Sequence, residues 1–333
     1  MNVVQDPLVA IIVLNWNGAQ DTLDCLRSLD RVDYPNYRVV VVDNGSQDDS
    51  LKLLEEYARS TALVPEDVGR KSIASTKGFV KYSRTEALRG DGVEAELDDA
   101  KSEQRLVVLR NEANLGFSEG NNVALRYVTR SLHPDYVLLL NNDTIVEPGF
   151  LSKLVRAAES NSDIGVIGPQ IRPWSPSDGN GKVAFCGGRI EWLVYPGYLH
   201  IRGYAEASAF GWRNGLECDW ITGTAMMLRS ECLRYGLLDN DYFFGCEDVD
   251  LSIRLRKKGY RIVILLDSII YHKGGKSRRK RYPEEVRRIV ASALTNFRFV
   301  RKNAPLYPAV MAIHSLQLAA ILAKTLGKLI LRR

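Results

Sequence analysis

The sequence of 333 residues contains no CxxC pair. Its five cysteines, Cys25, Cys186, Cys218, Cys232 and Cys246, are odd in number and scattered, which indicates neither a disulfide framework nor a zinc site and points to a reducing compartment. No GxGxxG follows the first apolar run and no GxxxxGKS/T occurs, so neither a dinucleotide-binding enzyme nor a P-loop nucleotidase is supported. A basic leader is also missing ahead of the short apolar run that ends at Asn15. No signal peptide is therefore expected, and the cytoplasmic side is the expected location. Net charge is only +5. The one concentrated basic run, HKGGKSRRKR from His272 to Arg281, has no interleaved aromatics and no helix-turn-helix, zinc-finger or RNA-binding signature. It reads as a solvated face or as a partner for phosphate groups of a small ligand or anionic lipid, and no nucleic-acid partner is expected.

What is present is an ordinary globular composition, 45% hydrophobic, with length for one large domain or two modest ones. VAIIVL from Val9, RVVVV from Arg38, LVVL from Leu106 and YVLLL from Tyr136 are continuous apolar runs, the pattern of strands buried on both faces. Between them Thr22 to Leu29, Ser50 to Ala58 and Ser118 to Val128 carry helical spacing, each opened by a residue suited to capping. Alternating strand and helix predicts an α/β unit with a mainly parallel sheet. Ser60 to Gln104 is charged and weakly periodic where a short connection would suffice, and reads as an insertion with room for disorder. Beyond Gly149 the pattern predicts a helix to about Ser160, a strand near Ile164 to Gly168 and an irregular aromatic-rich stretch from Pro169 to Asp219. A strand at AMMLR, a helix from about Asp248 to Lys258, and a strand from Tyr260 to Leu266 leading to Asp267 and His272 follow.

Residues 301–333 stand apart. Two prolines, His314, Ser315 and Gln317 interrupt an otherwise apolar stretch, which makes it a poor membrane span. On a helix of 3.6 residues per turn His314, Gln317, Lys324, Thr325 and Lys328 fall within about a 100° arc. That suits a helix lying in a membrane interface with Arg332 and Arg333 assisting, or a helix packed on the protein's own core.

Ligands of open parallel sheets bind beyond the carboxyl ends of the strands. There the sequence places Asn15-Trp16-Asn17, Asp43-Asn44-Gly45-Ser46, Asn111 to Gly116 and Asn141-Asn142-Asp143. Any one group is ordinary turn chemistry; four at one edge suggest a site. Asp43 could accept hydrogen bonds from a base or ribose, and Asp143 could hold Mg²⁺ or Mn²⁺ on a diphosphate. Glu247-Asp248-Val249-Asp250 is the other concentration of acid. One acid suffices to cap a helix, and three in four residues repel one another, which raises a carboxyl pKa as a general base requires.

VAIIVLNWNG, VVVVDNGSQDDS, NEANLGFSEGNN, YVLLLNNDTIVEPG, WITGTAMMLR, DYFFGCEDVDLSIRLRKKGY and YHKGGKS follow one another in the order seen in family 2 glycosyltransferases. The chain most resembles the rhamnosyltransferase-like branch, over roughly Val9 to Pro305 apart from the insertion. The resemblance implies one GT-A domain over residues 1–300, α/β and Rossmann-like with a mainly parallel central sheet, followed by a C-terminal helical extension over 301–333. It implies transfer of a sugar from a nucleotide donor to a glycan acceptor expected to be lipid-linked, with inversion, at the inner face of the cell membrane. By position, Asn15, Asp43, Asn114, Gly116, Asn121 and Asn142 belong to the nucleotide pocket, with Thr222 and Gly223 flooring the sugar site. Asp143 is the surviving acid of the DxD-type metal motif, Asn141 standing where a first carboxylate would be, and His272 is a second contact to a divalent metal (Mg or Mn). Asp248 is implied as the catalytic base with Glu247 and Asp250 in support, and Lys273, Lys276 and Arg278 lie close enough in sequence to assist the leaving diphosphate. Trp192, Tyr195, Tyr198, Trp212 and Trp220 could receive sugar rings or fill the core. Sugar-phosphate nucleotidyl transfer and a silent glycan-binding protein are the alternatives.

Overall fold

The computed structural model describes residues 6–60, 79–89, 106–174, 183–202, 216–274 and 285–330. Twelve strands are found among them: β1 Val9–Asn15, β2 Tyr37–Asn44, β3 Phe79–Ser83, β4 Leu106–Asn111, β5 Tyr136–Asn141, β6 Thr144–Val146, β7 Ile164–Pro173, β8 Gly188–Ile190, β9 Tyr198–His200, β10 Leu216–Glu217, β11 Ala225–Arg229 and β12 Arg261–His272. Ten of them form one sheet in the order β10-β12-β7-β11-β5-β1-β2-β4-β3, with β6 on β12. The pairs β1–β2, β1–β5, β2–β4, β3–β4 and β7–β12 are parallel; β11 runs antiparallel between β5 and β7.

The continuous apolar runs became the centre of this sheet because helices cover both faces. Val9 to Val13 and Val40 to Val42 are fully buried. Helices Ala19–Leu29, Ser50–Ser60 and Gly116–Ser131 extend the ranges read from spacing by a few residues, and Phe150–Glu159 falls where it was expected. Their expected side-chain caps are not all made. Gly18 and Leu115 hold the N-cap positions of the first and third without a side-chain bond, and Asn15 instead accepts from the Gly18 N–H and the Thr22 hydroxyl.

Three departures from the sequence reading position the site. Within the presumed insertion, residues 79–89 supply edge strand β3 and the short helix Arg84–Arg89, β3 pairing in parallel with β4. FVKYS shows no buried run because an edge strand covered on one side needs few apolar residues; the rest of 60–104, apart from Ser60, lies outside the described residues. Second, β12 does not stop at Leu266. Its register against β7 jumps between Leu265 and Ile269 and pairing then continues to His272, the extra residues forming a bulge that re-aims the strand end. Third, helix Glu285–Asn303 runs across the expected boundary at residue 300, and the extension beyond it forms helix Tyr307–Ile330, the two packing on each other through His314 and Asn296.

Candidate active site

Strand register assembles the site. Parallel pairing sets Asn15 beside Asp43, Leu14 beside Asn141 and Asn44 beside Asn111, so four strands end level and their polar residues share one edge. The Asn15 Nδ2 donates to Asp43 Oδ1 and to Ser46 Oγ, both at 3.1 Å. Asp43 Oδ2 accepts from the Ser46 N–H. Asn142 closes the other side, its Nδ2 donating to Thr22 Oγ1 at 2.9 Å and to Asn15 Oδ1 at 3.3 Å. Asn15 and Asp43 are fully buried, so this network fixes the loop geometry before any ligand arrives.

Asn44, which the sequence did not single out, is the hub beside it. Its Nδ2 donates to Asn114 Oδ1 and to the Gly116 carbonyl, and its Oδ1 accepts from Asn111 Nδ2 and the Leu115 N–H. Nothing in a Val-Asp-Asn-Gly turn distinguishes this asparagine from a turn former. Two glycines allow the close approach. Gly45 has φ +73° and a Cβ there would lie 2.5 Å from the Ala113 carbonyl carbon; Gly116 has φ +83° and a Cβ would lie 2.5 Å from the Phe243 oxygen. Both positions need the left-handed region and bare backbone. Asn121 is turned inward, its Nδ2 donating to Phe117 O one helical turn back.

Antiparallel strands bring in the remaining groups. β11 starts at Ala225 opposite Leu140 near the end of β5, and the Asn141 N–H donates to the Thr224 carbonyl at 2.9 Å. This places Thr222 and Gly223 at the site edge, the Thr222 and Thr224 hydroxyls 3.2 Å apart. β6 pairs His272 with Thr144, and His272 Nε2 lies 2.9 Å from Asp143 Oδ1. His272 is therefore the last residue of β12, not a loop residue beyond it.

The acid cluster opens helix Glu247–Arg256. Asp248 Oδ2 accepts from the Gly223 N–H and Oδ1 from the Val249 N–H, both at 2.8 Å. Gly223 is small because a Cβ would meet the Phe117 ring at 2.9 Å. Glu247 is 4% exposed, and among the described residues its Oε2 has no hydrogen-bond partner. Burial pushes the Glu247 carboxyl well above the usual range, with the Asp248 charge adding to it. Burial also raises Asp248, against the lowering pull of its backbone N–H donors. Cys246, just before the helix, holds φ +71°, a strained conformation of the kind that clusters at functional sites.

Two expected helpers are committed elsewhere. Asp250 does not join the other acids: Oδ2 accepts from Arg254 Nε at 2.8 Å and Oδ1 from Asn303 Nδ2 at 2.8 Å, an i,i+4 pair tying the helix to the C-terminal extension. The mutual repulsion read from three clustered acids therefore reduces to two. The Asp250 and Arg254 side chains are 6% and 28% exposed, and Arg254→Met is expected to cost about 3 kcal/mol of unfolding free energy in a denaturant titration. Asp250→Asn should likewise lower stability more than turnover per folded molecule; the reverse would return Asp250 to the chemistry. Lys273 donates to Asp21 and Asp24 at 2.9 and 2.7 Å with its side chain 12% exposed, so it latches the β12 end to helix Ala19–Leu29 instead of facing a diphosphate. Lys276 and Arg278 lie outside the described residues, as does Trp212. Of the aromatics, Trp220 is core at 1% exposure and Trp192 stacks on Phe299.

Asp143, in the turn between β5 and β6, and His272, at the end of β12, bring together one carboxylate oxygen and one imidazole nitrogen. Among the described residues no group of three or more His, Cys, Asp or Glu could hold a metal ion.

The sheet order, the level polar strand ends and the antiparallel return of β11 define a GT-A fold. The family model described as "Glycosyltransferase like family 2" matches residues 79–291, and "Glycosyl transferase family 2" matches residues 10–86; the chain belongs to glycosyltransferase family 2. It is 28% identical over 152 residues to the rhamnosyltransferase WbbL of Escherichia coli K12, covering 44% of this chain and 56% of the relative. It is 25% identical over 265 residues to hyaluronan synthase 2 of Mus musculus, covering 76% and 44%. The chain thus spans about half the length of these curated relatives. Among solved structures it is similar to GalNAc-T7 with UDP, GalNAc and Mn²⁺ (TM-score 0.56, 14% identity, 81% of this chain and 44% of that one). It is also similar to the mannosyltransferase PcManGT from Pyrobaculum calidifontis with GDP-Man and Mn²⁺ (TM-score 0.54, 16% identity, 97% and 81%).

Proposed function

We propose that this chain transfers a sugar from a nucleoside-diphosphate sugar to a hydroxyl of a glycan acceptor, with inversion at the anomeric carbon. The observation that carries the reading is Asp248: a half-buried carboxylate held by the Gly223 and Val249 N–H groups, Gly223 lying in the turn whose Thr224 carbonyl accepts the Asn141 N–H at the end of β5. Asp43 and Asn15 receive the base or ribose, the Asn114–Gly116 turn shapes the pocket wall with Asn121 bracing its helix, and Thr222 and Gly223 floor the sugar site, Gly223 packed against the Phe117 ring. Asp248 accepts the proton of the acceptor hydroxyl as its oxygen attacks. Burial raises both carboxyls, and the Asp248 charge adds to the rise at Glu247, so the two acids favour sharing a single proton. A divalent metal held by Asp143 and His272 would offset charge on the leaving diphosphate. The acceptor is taken to be lipid-linked, with the enzyme peripheral on the inner face of the cell membrane through the C-terminal helix.

A panel of nucleoside-diphosphate sugars incubated with and without Mn²⁺ tests the reading. Release of nucleoside diphosphate from one donor, with metal-dependent thermal stabilisation by that donor, is expected. Pyrophosphate release from a nucleoside triphosphate and a sugar phosphate would make the chain a nucleotidyltransferase instead, and sugar binding without turnover would make it a silent glycan-binding protein.

A further inference from the structure

Helix Tyr307–Ile330 is turned the wrong way round for a helix in water. Its His314, Gln317 and Thr325 side chains are turned toward the protein, while Ser315 and Lys324 are exposed. His314 is fully buried, with Nε2 2.9 Å from the Trp192 carbonyl and Nδ1 3.3 Å from Asn296 Oδ1. Gln317 spans the same turn, donating from Nε2 to Leu193 O at 3.0 Å and accepting the Tyr195 N–H on Oε1 at 2.6 Å. The opposite stripe, Ala312, Leu316, Ala319, Ala320 and Ala323, is exposed, Leu316 at 75%. A helix that packs on a soluble core has the reverse order. Over Tyr307–Thr325 mean hydropathy is 1.2 and only 11% is buried. The turn that Gln317 grips is itself apolar at its tip, with Leu193 61% and Val194 43% exposed.

We infer that the Leu193–Val194 tip and the outward stripe of this helix form one surface that lies flat in the interface of an anionic lipid bilayer, the helix resting on the membrane without crossing it. The inference deepens the peripheral-membrane part of the proposed function. Charge selects the occupant: residues 286–333 contain no Asp or Glu, and besides Lys302, which is paired with Asp239 and Asp241, they carry eight Lys or Arg (287, 288, 298, 301, 324, 328, 332 and 333). Such a segment is attracted to anionic headgroups and repels a second copy of itself. Crossing is opposed by the side-chain bonds of His314 and Gln317, which tie the middle of the helix to the domain and would have to break with polar groups entering hydrocarbon.

The full chain is mixed with vesicles of phosphatidylcholine containing about one-third phosphatidylglycerol, or of phosphatidylcholine alone, and bound protein is measured by flotation. Wild type should float with the anionic vesicles and be released by alkaline carbonate. L193D/V194D and L316D/A320D should each weaken binding by about tenfold or more, since each double change removes exposed apolar contact with lipid. Their circular dichroism should match wild type, as the altered side chains face outward. Unchanged flotation of both variants, equal binding to neutral vesicles, or resistance to carbonate would overturn the inference. So would a wild-type dimer in solution that L316D/A320D dissociates, which would assign the face to a second copy. Nucleoside-diphosphate release measured without lipid tests the transferase reading separately, and its failure would leave the vesicle result standing.

Discussion

Asp248→Asn is expected to reduce turnover by about 10²- to 10⁴-fold, the range that a positioned general base supplies, while nucleoside-diphosphate affinity stays within a few-fold of wild type. The position of Asp248 sets both halves of that expectation. Asp248 is held by backbone donors from Gly223 and Val249, so its direction is set by the β11 approach and by its own helix, not by the nucleotide loops. The pocket around Asn15 and Asp43 is bonded internally and to Ser46, Thr22 and Asn142, without Asp248. A variant whose affinity collapses along with its rate would place Asp248 in donor binding, and full activity would remove it from the mechanism. Single-turnover rates and calorimetric titration with nucleoside diphosphate separate these outcomes.

The pH dependence follows with a definite sign. A base must be ionised to act, and burial raises the Asp248 carboxyl, so the acid limb of kcat should lie above the ordinary aspartate value of about 3.9. Activity is then lost as pH falls through that raised value. Stability moves the other way. A carboxyl whose folded pKa is raised holds its proton in the folded chain after the unfolded chain has released it, so its contribution to stability declines as pH rises from the unfolded value toward the folded one. The enzyme is therefore expected to gain activity over a pH range in which these two acids cost it stability, a conflict common at catalytic sites.

How much of this was legible depended on range along the chain. β1, β2, β4 and β5 declared themselves as apolar runs because both faces are covered, and their polar ends marked the site edge because parallel register carries every strand to the same level. Asp250 could have been separated from Glu247 and Asp248: Arg254 follows it by four residues, the spacing of a helical ion pair. The commitment of Lys273 to Asp21 and Asp24 could not be read, since those residues meet only after β12 has crossed the sheet beside helix Ala19–Leu29. Asn44 was invisible for a different reason: its four bonds depend on the Gly45 and Gly116 backbones approaching as no side chain would allow. The polar arc of the last helix was correctly placed at His314 and Gln317, but periodicity does not say which side faces the protein.

Asp143→Asn is expected to lower turnover by about a thousandfold, equivalent to roughly 4 kcal/mol of lost charge stabilisation at the leaving diphosphate. The expectation rests on how few ligands the chain offers. Asn141 stands where a second carboxylate would add charge, and its backbone is spent on the β5 end, the N–H donating to Thr224 O and the carbonyl accepting from the Thr144 hydroxyl. Asp143 is then the single carboxylate on its strand end, with His272 Nε2 2.9 Å away and Lys273 turned to other acids. Losing the carboxylate leaves only the imidazole, whereas His272→Asn leaves the carboxylate in place. The two variants should therefore differ, with the weaker effect at His272, of about 10- to 100-fold in Mn²⁺ affinity as for a lost supporting partner. Titrating Mn²⁺ by electron paramagnetic resonance in the presence of nucleoside diphosphate reads affinity directly, apart from any rate. Equal Mn²⁺ affinity in Asp143→Asn and wild type, or turnover that survives chelation, would take the metal role away from Asp143 and leave the residue as the partner that orients His272 at the end of β12.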